Sequence, residues 1–161
     1  MLDGMGPTLP GAAGITEFKE CLRQLRDGHK TAALAHVRRA LNSEPRNPFY
    51  LSYEGMLSAV AEKRYAEGEN LCREALEMKC NHAQLYLNLA EVYYQAGRTP
   101  EAIQTLEKGM VSAGRDFRIR RALEKIGMRR PPVLTFLHRS HPLNSTLGKW
   151  RHRFTGPHKA A

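Results

Sequence analysis

Small residues seven apart occur three times in this chain: Ala33 with Ala40, Gly68 with Ala75, and Ala102 with Gly109. The first members of these pairs stand 35 and then 34 residues apart. Two small residues seven apart share one face of a helix and let a second helix approach closely. A period of about 34 residues in a helical sequence is that of a helix pair stacked into a solenoid, each unit burying its apolar face against the next. Such a solenoid presents a concave binding surface and has no built-in chemistry.

The rest of the pattern fills in the units. A first helix starts near Ile15 and runs to about Arg26, where Asp27-Gly28 breaks it; Gly suits the left-handed turn after a helix. Thr31 to Asn42 is its partner, with Ala33, Val37, Ala40 and Leu41 on one face, and Pro45 ends the unit. Asn47 caps the next helix with Pro48 in its first turn, and Ala66 to Met78 is the partner. A third pair runs from near Asn81 to Gly97 and then to Gly114, with Thr99 expected as cap and Pro100 as first helical residue. Asp116 caps a short closing helix whose Ile119, Ala122, Leu123 and Ile126 fall at i, i+3, i+4, i+7. Gly127 and Pro131-Pro132 stop it, and no sustained period runs from Val133 to Ala161.

The third unit resembles a tetratricopeptide repeat in detail. Tyr86-x2-Leu89-Ala90-x2-Tyr93 is similar to the family's W-x2-L-G-x2-Y pattern, and Gly97, Ala102 and Leu106 come at the family's intervals. The first unit keeps Gly28, Ala33, Val37, Ala40 and Pro45, but has Glu17 and Gln24 where aromatics are usual. The second keeps Gly55, Tyr65 and Ala75, has one extra turn residue, and has Cys80 in place of the terminal proline. The resemblance covers roughly residues 15–114, with the closing helix to about 128. It implies an all-α fold: an α-solenoid of about three hairpins and a C-terminal capping helix (residues 15–128), preceded by a disordered leader (1–14) and succeeded by a basic, mostly irregular tail (129–161). That tail is similar to the C-terminal tails of small bacterial members of the family, which adds no function.

Charge divides the chain. Residues 1–114 hold 13 Lys and Arg against 14 Asp and Glu, whereas residues 115–161 hold 12 against two. The solenoid is neutral and the segment beyond it is basic, so the two parts need separate explanations. No apolar stretch reaches the roughly 18 residues that would span a membrane, and the N-terminus lacks the features of a secretory signal, so a cytoplasmic location is expected. Three cysteines make no disulfide framework; Cys21 and Cys72 are expected in the core and Cys80 at a helix end. No phosphate-binding loop, dinucleotide fingerprint or nucleophile elbow is present, and the acids Glu67, Glu69, Glu74 and Glu77 read as a solvated helix face. The chain therefore reads as a non-enzyme with no catalytic residue and no cofactor. His138 and His141 form HxxH, but neighbouring arginines repel a cation, so no metal site is expected.

Two surfaces remain for binding. In tetratricopeptide repeat proteins the first helix of each pair lines the concave face. By helical spacing this places Ser52, Tyr53, Met56, Asn88, Glu91, Tyr94 and Gln95 there as a protein-binding groove for a peptide or a helix. Phe18 and Leu22 share that face by spacing but are expected to be core. Family members that capture a C-terminal carboxylate need several Lys, Arg and Asn in the groove; Asn88 has no basic companion on these helices, so that activity is not expected. The second surface is basic: Arg118, Arg121, Lys125, Arg129, Arg130, Arg139, Lys149, Arg151 and Arg153, with Trp150 among them. A tail that is solvated or folded back on the helices is the first reading of it. An acidic protein partner, single-stranded nucleic acid and an anionic membrane surface come next, in that order. Three repeats are about the minimum for stability, which makes a homodimer a further expectation.

Overall fold

The computed structural model describes residues 12–127. These form seven α-helices: α1 (Ala12–Arg26), α2 (Lys30–Ser43), α3 (Pro48–Glu62), α4 (Tyr65–Met78), α5 (Ala83–Gln95), α6 (Thr99–Ser112) and α7 (Phe117–Gly127). They pack as three hairpins, α1 with α2, α3 with α4 and α5 with α6, and α3 carries the stack onward by packing against α2 and α5. This is an α-solenoid. Most of the leader and the residues expected as a tail lie outside the described residues.

The small residues occupy the places where helices touch. Ala33, Ala40, Ala75 and Ala102 are fully buried. A Cβ added at Gly55 of α3 would lie 2.6 Å from the Gly68 carbonyl oxygen and 2.9 Å from Cys72 Sγ. One added at Gly109 of α6 would lie 2.8 Å from the Tyr86 side chain of α5. Within each hairpin the backbones approach as closely as these residues allow, and leucines and tyrosines fill the grooves alongside. Cys21 and Cys72 are core residues; burial pushes their thiols up to about 11 and about 12, so both stay protonated and inert at neutral pH. Cys80 is exposed.

Several helix ends differ from the sequence expectation. α1 begins at Ala12 rather than Ile15, because Gly14 packs 3.3 Å from the Ser43 side chain (measured to an added Cβ) and so draws the first turn onto α2. α2 and α4 each open one residue early. Asn47 caps α3 as expected, accepting from the backbone N–H of Phe49 at 3.0 Å. Thr99 does not cap α6. Gly97 turns the chain at φ 78°, the Arg98 N–H donates to the Tyr93 carbonyl at 2.8 Å, and Arg98 takes the cap position without a side-chain cap bond. Its guanidinium is drawn instead to Glu69 (2.6 Å) and Glu101 (2.9 Å).

Glu69 also corrects the solvated-face reading of the acids on α4. Its carboxylate accepts from Tyr93 Oη and Arg73 Nε, both at 2.9 Å, as well as from Arg98, whose guanidinium sits 4.6 Å over the Tyr93 ring. Burial raises the Glu69 pKa, but the donors Tyr93, Arg98 and Arg73 outweigh it and hold the group below its ordinary value. This cluster ties α4, α5 and the start of α6 together.

Candidate functional site: a groove lined by first helices

The first helices of successive units, α3 and α5, lie side by side, and α7 follows the third hairpin with Arg118 bonded to Gln84 of α5. Among them is a cavity of about 250 Å³. Met56 comes from α3, Leu87, Asn88 and Glu91 from α5, and Ala122 and Ile126 from α7. Its walls are apolar apart from Gln84, Asn88 and Glu91. A hollow of this kind, mostly apolar with a few placed polar groups, takes an amphipathic segment of another chain.

The floor of the groove is a polar ladder. Arg118 Nη1 donates to Gln84 Oε1 at 3.1 Å, Gln84 Nε2 donates to Asn88 Oδ1 at 2.9 Å, and Asn88 Nδ2 donates to Ser52 Oγ at 2.9 Å. Three helices, α7, α5 and α3, are thereby held in register. Ser52 and Asn88 are 0% and 3% exposed, so both are spent inside the protein. Ser52 lies beneath the binding surface rather than on it. Asn88 borders the cavity with its amide committed on both sides.

The other expected groove residues divide. Met56 and Glu91 line the cavity. Tyr53 is half-buried toward α1, its ring edge-on to Phe18 at 5.1 Å. Gln95, half-buried one turn beyond Glu91, donates to that carboxylate at 2.7 Å, and Tyr94 is half-buried beside it. Leu22 is not core: at 37% it is exposed on α1. The apolar stripe of α7 is groove wall as well as end cap.

The basic surface also divides. Arg118 does not belong to a free cationic patch, because Asp116 holds it through Nη2 at 2.8 Å and Gln84 takes Nη1. That contact raises the Arg118 pKa and lowers that of Asp116. Arg121 and Lys125 are exposed on α7 with no ion pair among the described residues. Arg129, Arg130, Arg139, Lys149, Trp150, Arg151 and Arg153 lie outside the described residues.

A second hollow, of about 340 Å³, lies on the side of the second helices. Its arginines, Arg73 and Arg98, are already neutralised by Glu69 and Glu101. Among the described residues no three His, Cys, Asp or Glu side chains are placed to hold a metal ion, and no helix is long and apolar enough to cross a membrane.

A family model described as tetratricopeptide repeat matches residues 59–126, from the end of α3 through α7. This stretch of the chain is a tetratricopeptide repeat region. No curated protein matches the chain. Among solved structures, this repeat protein is similar to the first tetratricopeptide repeat domain of Spaghetti (RPAP3) bound to the HSP90 peptide SRMEEVD. That likeness has a TM-score of 0.60 at 15% identity, covering 74% of this chain and 97% of the other. The second such domain of human RPAP3, in complex with the HSP70 peptide SGPTIEEVD, aligns with a TM-score of 0.58 at 18% identity over 73% and 98% of the two chains. The Yersinia enterocolitica type III secretion chaperone SycD, in complex with a peptide of the translocator YopD, aligns with a TM-score of 0.55 at 15% identity over 71% and 92%. At these identities the likeness establishes the shared helical repeat fold.

Proposed function

We propose that this repeat protein is a non-enzymatic adaptor that binds a peptide or a helix of another protein in the groove among α3, α5 and α7. The observation that carries the reading is the cavity itself: an apolar hollow on a preorganised floor, with Met56, Leu87, Ala122 and Ile126 left facing it. Burying such side chains against a partner's contributes about 25 cal/mol per Å² of apolar surface. The rigid polar ladder beneath means that little ordering has to occur on binding. That RPAP3 domains and SycD hold peptides is consistent with this use of the fold. Carboxylate capture of the kind the EEVD-ending peptides of the RPAP3 domains invite is not part of the reading, because Asn88 is internally bonded and Glu91 is an acid.

The test is quantitative recovery of partners from the native cell by the full chain, by Leu87→Lys/Glu91→Lys, and by Glu107→Lys at an exposed position of α6 as a control. Partners that bind in the groove are lost with the double variant and kept with the control. Equal recovery by all three chains, each verified as folded by circular dichroism, rules out the groove as the binding site.

A further inference from the structure

We infer that the segment this groove accepts is basic: an apolar side chain flanked by Lys or Arg. The inference rests on the groove being the binding site, and it adds the charge of the partner.

Among the described residues, Glu91 is the only charged side chain lining the cavity. It is partly buried, and its hydrogen bond comes from the neutral amide of Gln95. Almost every other partly buried acid among the described residues has a cation within 4.0 Å. Glu17 has Arg39, Glu20 has Arg23, Glu54 has Arg38, Glu67 has Arg64, Glu69 has Arg73 and Arg98, Glu101 has Arg98, and Asp116 has Arg118. The exceptions are Glu44 and Glu91. Glu44 has a local task, accepting from Asn47 Nδ2 in the turn before α3. Glu91 accepts only from Gln95 on its own helix, a contact that fixes no turn and joins no second helix.

A partly desolvated carboxylate at an apolar wall attracts a cation more strongly than an exposed one, and it rejects an acidic segment because a like charge there meets no compensation. Arg118 does not reverse this. It reaches the groove floor only through Gln84, and its charge is matched by Asp116. The arrangement is therefore opposite in sign to one that would take the acidic peptides SRMEEVD or SGPTIEEVD.

The test uses a random 12-residue peptide library displayed on phage and panned against the full chain. Selected peptides are then synthesised with a fluorescent label and titrated by anisotropy against wild type, Glu91→Lys, Glu91→Gln and Leu87→Asp. The expected result is a class of peptides that lose about tenfold or more in affinity with Glu91→Lys and less with Glu91→Gln. Those peptides carry Lys or Arg beside Leu, Ile, Met or Phe. Peptides weakened by Leu87→Asp but indifferent to Glu91→Lys, or groove-binding peptides that are acidic, would leave the groove standing and overturn the charge assignment. Peptides indifferent to every variant would place binding elsewhere and remove both readings. If the full chain selects nothing, the groove takes no outside segment and the proposal fails.

Discussion

His82 stands just before α5, and its Nδ1 accepts from the Gln84 backbone N–H at 3.3 Å. Only the neutral ring can do this. Burial, with Lys79 and Arg118 nearby, holds its pKa below the ordinary value of about 6.5. A depressed histidine pKa contributes stability that is fully present above the unfolded value and is lost as pH falls through the folded one. A charged imidazole would also oppose the positive end of the helix dipole. His82→Asn keeps a cap acceptor and removes the titration. Its urea midpoint should fall less than that of wild type between pH 7.5 and pH 5.5; equal losses in the two chains would refute the assignment. Ser58 makes a simpler case. Its hydroxyl is fully buried in α3 and has no hydrogen-bond partner. An unpaired buried hydroxyl costs about 1–3 kcal/mol, so Ser58→Ala should raise stability by about 1 kcal/mol in urea unfolding. A loss of similar size would mean that the hydroxyl is paired in solution.

The turns between helices show what a repeat tolerates. Gly28 and Gly97 take positive φ after the first helices of the outer hairpins, and Lys63 at φ 63° does so in the middle one. A side chain in that conformation costs about 1–2 kcal/mol, while glycine gives back part of this through the freedom of its unfolded chain. Lys63→Gly should therefore stabilise by up to about 1 kcal/mol, read as a higher thermal midpoint with an unchanged helical spectrum. A lower midpoint would mean that the lysine stem packs usefully. At this scale most of the architecture was legible. Gly28, Gly97, Gly114 and Asn47 marked their turns because each is a local device that works without knowledge of the neighbours. Thr99 misled for the converse reason: a generic cap residue lost its position to Arg98, whose distant partner Glu69 lies in another helix. The hydrophobic pattern likewise placed Leu22 on the right face of α1, but only the neighbouring helices decide whether that face is covered.

Across the whole molecule, contacts one repeat apart make the site, and spacing within a helix is blind to them. Ser52 and Asn88 meet over 36 residues and Gln84 and Arg118 over 34, which is why two expected surface groups became floor and one expected free cation became a strut. The same linkage extends to α7. Ile119 is fully buried, and its Cδ1 would lie 3.0 Å from a Cβ on Gly109, so it fills the space left by the last small residue of the periodic pairs. Truncating a buried isoleucine to alanine costs about 2–5 kcal/mol. In a solenoid that cost falls on the unit concerned and its neighbour rather than on the distant end. Ile119→Ala should consequently release α7 first: its amides gain hydrogen exchange while α1 to α4 keep their protection. Because Ala122 and Ile126 form one wall of the groove, a peptide bound there should lose affinity by about tenfold or more, although Ile119 does not line the cavity. Uniform loss of protection across all helices would show that the chain unfolds as one unit, and unchanged peptide affinity would show that α7 is a cap alone.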